Sequence, residues 1–294
     1  MRVPMAALSA TASNRRRFGT VVMRLRESRW GMVGASLVLF WVMVALSAPL
    51  LAPCSPNTPL KPFAPPGTRF TNGTLFVLGT DHLGRDILSR IIYGARRVLF
   101  YAPLATAGAY AVGVVMGLIA GYAGGWLDTT LSRLSDVILA FPVLVLYVIV
   151  IAMVGASGLY VVLAITLANA PGIMRLVRGL VLTQRQRDYV AAAHIRGEGA
   201  WRMMLVEILP NLCGPLIADI CLRLGYVIIT LGTLGFLGLG LPPPDPDWGG
   251  MVNETRAMAQ VYPWMTLFPC LAIASLVLGL NLLADGVRDL SRHA

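Results

Sequence analysis

The sequence predicts an all-α membrane protein with six transmembrane helices. Three observations predict it: 56% of the 294 residues are hydrophobic and only 13% charged, several stretches are apolar for long enough to cross a bilayer, and arginine clusters heavily beside the first of them. A water-soluble domain of this length keeps far more charge on its surface, and a mean hydropathy of +0.71 places the chain among polytopic membrane proteins.

A helix needs roughly 20 apolar residues to span the hydrocarbon core. The first such stretch, 30–51, follows a basic segment, 1–29, and runs to full length without an A-x-A cleavage site, so it reads as an uncleaved helix and not a signal peptide. The loop 52–98 has two parts. Residues 52–73 are rich in proline, threonine and glycine and read as irregular chain. Residues 84–98 carry Ile87, Leu88, Ile91, Ile92, Ala95 and Val98 at helical spacing, with Arg85, Asp86, Ser89, Arg90, Arg96 and Arg97 on the other face. They are expected to form an amphipathic helix in the interface, arginines to the headgroups, leading into the second span. A core at 99–286 then holds spans 99–122, 134–154 (kinked at Pro142), 158–177 (its second half crowded by Asn169, Pro171 and Arg175), 212–236 and 264–284. A cytoplasmic loop, 178–211, joins the fourth and fifth, and 287–294 is a short C-terminal tail.

Arginine placement sets the expected orientation. Arg2, Arg15, Arg16, Arg17, Arg24, Arg26 and Arg29 stand against the single acid Glu27, which puts the N-terminus in the cytoplasm. Six spans return the C-terminus to that side. Arg178, Arg185, Arg187, Arg196 and Arg202 mark 178–211 as cytoplasmic, and Asp245, Asp247 and Glu254 mark the last loop as external. The basic loop 52–98 runs against this rule, which weakens for longer loops.

Composition also excludes. Lys61 is the only lysine and sits in Leu-Lys-Pro, so no P-loop exists here, and any ATP-driven step belongs to another chain. There is no HExxH, and His82, His194 and His293 lie outside the spans; neither a catalytic nor a metal site is expected. Cys54, Cys213, Cys221 and Cys270 form no CxxC pair and read as small hydrophobes. The net charge of +10 sits beside the spans, with no basic-aromatic stripe for nucleic acid.

Segment 188–211 carries the most information. Asp188 and Tyr189 open it; Ala191, Ala192 and Ala193 favour helix and leave a smooth face; His194 and Arg196 follow; and Gly197 permits the turn that ends the helix before Leu209-Pro210. On composition a plain connecting helix fits as well. Gly117, Gly121, Gly124 and Gly125 suit close helix approach at the end of span two. Gly235, Gly238 and Gly240, with Pro242, Pro243 and Pro244 and then Trp248, suggest a stiff external turn that closes the pore's outer mouth or meets a binding protein, or else simple loop punctuation. Asp219 and Arg223 sit i,i+4 within span five. Charges at that depth are unfavourable unless paired or facing water, so they either line a translocation path or form a structural ion pair.

The spacing of 188–211 resembles the cytoplasmic coupling loop of type I ABC importer permeases, with Ala191 where that family usually has glutamate. LGTDHLGRDILSRIIYGAR (78–96), AGYAGGWLD (120–128), LGFLGLGLPPPDPDWGGM (234–251) and NLLADGVRD (281–289) resemble, in the same order, segments of its dipeptide/oligopeptide/nickel branch and of that branch's C-type subunit. The resemblance implies the type I permease fold and one half of a heterodimeric pore in a bacterial inner membrane. It implies a second homologous permease, two ATPase subunits that use ATP and Mg, and an extracytoplasmic binding protein as partners, with lipid around the spans and no cofactor held by this chain. It also implies that 188–197 is the coupling helix, and Asp188, His194, Arg196 and Glu198 are expected to replace the contact of the missing glutamate. Two rival readings are a stand-alone ion-coupled transporter using Asp219 and Arg223, and a membrane-embedded enzyme.

Overall fold

The computed structural model describes residues 29–69, 75–155, 157–242 and 244–292; the basic segment 1–28 and Pro243 of the expected external turn lie outside them. The first predicted span is divided. α1 (Arg29–Leu46) and the single turn α2 (Ala48–Leu51) part at Ser47, because Pro49 at the start of α2 has no N–H to bond the turn before it. β1 (Thr68–Arg69) and β2 (Leu75–Phe76) then form a short antiparallel pair, Thr68 opposite Phe76.

The expected interfacial helix at 84–98 is corrected. Those residues are the opening turns of α3 (Ile87–Ala123), one unbroken helix of 37 residues started by Asp86, whose carboxylate accepts the Ser89 N–H at 2.8 Å. The polar face is divided: Arg90 is 3% exposed and bound to carboxylates, whereas Arg96 is exposed and Arg97 partly so. The third span is corrected too. α4 (Gly125–Ala140) starts directly after α3, at a turn where Gly124 and Gly125 have φ of 67° and 56°, so these two glycines serve the turn and not helix approach. Phe141-Pro142 then gives the expected kink as a sharp bend of 90° into α5 (Val143–Val154).

α6 (Gly158–Gln184) follows, then α7 (Asp188–Ile195), α8 (Ala200–Arg202) and a π-helical stretch, Met203–Ile208, that runs into α9 (Leu209–Phe236). Pro210 explains the π turn, since its ring crowds the carbonyl four residues back and its missing N–H leaves that carbonyl unbonded. α10 (Trp248–Thr255) and α11 (Pro263–Arg292) close the chain. Among the described residues, five helical segments are long and apolar enough to cross a membrane, or six if α4 and α5 together form one bent span.

Packing decides between five and six. Gly113, Gly117 and Gly121 of α3 face Ile173, Val177 and Val181 of α6 in matching order, a β-carbon at each glycine falling 2.6–2.7 Å from the opposing one. α3 and α6 therefore run parallel at close range. The chain must cross back between them, and only α4 and α5 lie there, so the bent pair is a crossing and the count is six. α1 and α11 are antiparallel, with Gly34 against the Gly279 backbone and Trp41 Nε1 donating to Ser275 Oγ at 3.0 Å. Their outer ends, and so the two ends of the crossing bundle, share one side.

Candidate functional site

α7 is built with two faces. Val190 and Ala193 are fully buried and pack with Val181 of α6, with Met203, Met204 and Ile208 of the π segment, and with Leu212 of α9. Asp188, Ala191, Ala192 and His194 lie on the exposed side. Its end is a Schellman turn: the Glu198 N–H donates to Ala193 O at 3.3 Å and the Gly197 N–H to His194 O at 2.9 Å, with Gly197 at φ 72°. The buried face thus packs α7 against the ends of α6 and α9.

The side chains expected to replace the missing glutamate are mostly engaged. His194 stacks on Tyr122 of α3, rings 6.2 Å apart and 8° from parallel. Glu198 is enclosed and paired with Arg196 at 2.9 Å and Arg202 at 3.6 Å. Tyr189 donates to Gln184 Oε1 at 2.9 Å. Asp188 is exposed in the first turn, where the helix dipole favours it, and remains open to a partner.

Asp219 and Arg223 meet, Nε to Oδ2 at 2.6 Å, and both side chains keep about a quarter of their surface exposed. Tyr110 of α3 also donates to the Asp219 carboxylate, a partner that no sequence spacing reveals. The carboxylate thus ties α9 to α3, while the guanidinium lies over Gly172 of α6.

At the opposite end from α7, the pre-span loop forms a second constellation. Asp81, 2% exposed, accepts the N–H groups of Leu83 and Arg85 at 2.9 Å each, and binds Arg85 Nε at 2.7 Å and Arg90 Nη1 at 2.6 Å. Glu254 of α10 accepts from Arg90 at 3.0 Å and also from Arg85. Burial tends to raise the Glu254 carboxyl, but Arg90 and Arg85 outweigh it and hold it below the ordinary glutamate value. Asp81, His82 and Glu254 have ligand atoms within 4.8 Å of one another. Both carboxylates already carry guanidinium groups, however, so a cation would have to displace them, and the arrangement fits an ion-pair network and not a metal centre.

The expected external gate is corrected in part. Gly238 and Pro242 are exposed, as a surface turn requires, but Trp248 is fully buried. Its Nε1 donates to Ile91 O at 3.0 Å, its ring sits on Gly94, where a β-carbon would fall 2.6 Å away, and it meets the Trp41 ring edge-on at 5.0 Å. Trp248 anchors the loop to α3 and α1. Gly240 and Gly235 make room for Asp247, which caps α10 by accepting the Gly250 N–H at 3.1 Å.

Burial pushes Asp247 up to about 6, against the Gly250 and Gly249 N–H groups and the charge of Arg90. Since the folded value lies above the ordinary 3.8, the contribution to stability is present at low pH and lost as pH rises through about 6. Asp247→Asn keeps an acceptor for the cap and removes the buried charge. It should therefore be more stable than wild type above pH 7, by up to about 2–3 kcal/mol, with the difference shrinking toward pH 4. Thermal unfolding of the detergent-purified chain against pH reads this directly.

The family model for the binding-protein-dependent transport system inner membrane component matches residues 113–293, which takes in every crossing after the first half of α3. The chain belongs to that family. It is 38% identical to the dipeptide transport system permease protein of Haemophilus influenzae over 266 residues, 90% of each chain. It is 38% identical to the di/tripeptide transport system permease protein of Pseudomonas aeruginosa over 265 residues, 90% of this chain and 88% of that one. It is 41% identical to the glutathione transport system permease protein of Pectobacterium atrosepticum over 212 residues, 72% and 70% of the two chains. The molecule is accordingly a multi-pass inner-membrane permease subunit of an ABC importer with the type I permease fold. Neither a stand-alone ion-coupled transporter nor an enzyme fits these relatives.

Proposed function

We propose that this permease forms one half of a heterodimeric pore for short peptides or peptide-like solutes such as glutathione, delivered by an extracytoplasmic binding protein. The names of its relatives support that substrate class. The arginines at 1–29 and 178–202 support cytoplasmic N- and C-termini and place α7 in the cytoplasm. There α7 is the coupling helix, seated on one of two separate ATPase subunits that use ATP and Mg. Closure of the ATPase pair pushes α7, and α6 and α9 carry the push into the bundle so that the cavity alternates between its two sides. The same reading assigns Asp219 and Arg223 to the translocation path, held at depth by Tyr110, and Gly238, Gly240 and Pro242 to its outer rim. This chain performs no bond chemistry.

The observation that carries the proposal is the division of α7: a buried face of Val190 and Ala193 welded to the crossing helices, and a smooth exposed face of Ala191 and Ala192. Ala192→Glu adds bulk and an unmatched charge to the exposed face, and Gly197→Asp strains the left-handed turn that ends it. Each should reduce co-purification of the ATPase at least tenfold while the permease pair remains assembled. Retention of ATPase and of uptake in both variants would falsify the coupling assignment.

A further inference from the structure

Two more Asp–Arg pairs stand near Asp219 and Arg223. Along α6, Gly172, Arg175 and Arg178 fall on successive turns, about 4.5 Å apart along the axis. Gly172 faces the Arg223 guanidinium, Arg175 holds Asp136 of α4, and Arg178 holds Asp128 of α4. The pairs form a ladder from the middle of α9 toward the α7 end of the bundle.

The middle rung differs from its neighbours. Asp128 takes two bonds from Arg178, one of them Nη2 to Oδ2 at 2.7 Å, and a third from Ser132 Oγ at 3.2 Å. Asp219 is shared by Tyr110 and Arg223. Asp136 and Arg175 make one bond, Nη2 to Oδ1, and their side chains are 48% and 52% exposed. One carboxylate oxygen and most of the guanidinium donors are thus open to another molecule. On helices of a membrane-crossing bundle, a half-exposed ion pair belongs beside water and not acyl chains.

We propose that Asp136 and Arg175 form a subsite on the exit side of the path that holds a zwitterionic short peptide. Asp136 takes the ammonium of the solute and Arg175 its carboxylate. This rests on the assignment of Asp219 and Arg223 to the path. The termini of an extended dipeptide lie about 7 Å apart, so one end can engage Asp136 or Arg175 before the other leaves the rung above. An exposed ion pair contributes little by itself, so opening it to admit the solute is easy and the solute is readily released.

The test titrates the full transporter, purified in detergent without nucleotide, with alanyl-alanine, its N-acetylated form and its C-terminal amide, reading binding by saturation-transfer NMR. Wild type should bind the free dipeptide at least fivefold more tightly than either blocked form. Asp136→Asn should erase the advantage over the acetylated probe, and Arg175→Gln the advantage over the amide, with the complex still assembled. Equal weakening of all three probes, or failure to assemble in these variants and in Asp136→Glu and Arg175→Lys, assigns the pair to clipping α4 onto α6 and overturns the proposal. Selectivity lost in Asp219→Asn but kept in both Asp136→Asn and Arg175→Gln overturns the subsite alone. No binding to wild type overturns the subsite and the path assignment together.

Discussion

Replacing Gly117 by leucine is expected to remove the permease from the assembled transporter. A β-carbon at that position would already lie 2.6 Å from Val177 Cβ and 2.8 Å from the Met174 carbonyl oxygen, so even alanine needs the two helices to separate. Overpacking of this kind costs about 1–3 kcal/mol for a small group. Leucine adds three more carbons at a contact that includes backbone, which no rotamer can relieve. Displacement there also disturbs Gly113 and Gly121, one turn away on either side, and the cluster that seats α7. Gly179→Ala on α6, where nothing lies within 4 Å, is the control and should be neutral or slightly stabilising. Thermal unfolding and recovery of the intact complex read both variants. A Gly117→Leu chain that assembles and transports normally would show that α3 and α6 are not in register as described.

Arg90→Met should be nearly as damaging, at the other end of the bundle. Arg90 is 3% exposed and bridges Asp81, itself 2% exposed, to Glu254. Methionine keeps the volume but leaves the Asp81 carboxylate buried with Arg85 as its remaining cation. Removing one partner of a buried pair costs about 3–5 kcal/mol when the other charge is left uncompensated, and because Arg85 still holds Asp81 the loss here is expected at or below the low end of that range. Arg90→Lys is expected to recover part of the loss, since it restores one charge, though on a shorter and more strongly hydrated head than the Nη1 that reaches both carboxylates. The readouts are the melting temperature of the purified chain and protease resistance of residues 60–86. An unchanged melting temperature in Arg90→Met would sink the network as a structural lock.

Much of the bundle was legible in the chain because its signals are local. Apolar length marks α1, α6, α9 and α11; Gly197 marks a helix end through its own chemistry; and the alanines of α7 announce a smooth helix. The misreadings share one cause. At 84–98 and at Trp248 the pattern was amphipathic or loop-like, and only the distant partners Asp81, Glu254, Ile91 and Gly94 turned those side chains inward. At Phe141-Pro142 a proline announced a break but not its angle, which is set by α4 lying against α3 and α6.

The sequence by itself determined that this is a polytopic helical membrane protein and that it carries no P-loop, from composition and a missing lysine. Only its resemblance to type I importer permeases pointed to a coupling helix at 188–197. The sequence predicted six crossings, and tertiary structure decided that the bent pair α4–α5 is one of them, because the parallel contact of α3 with α6 requires a return between them. Tertiary structure alone brought Tyr110 to Asp219, Arg175 to Asp136 and Arg90 to its two carboxylates. A charge at membrane depth states that it needs a partner or water, but which partner it finds depends on helix register, and register is a property of packing.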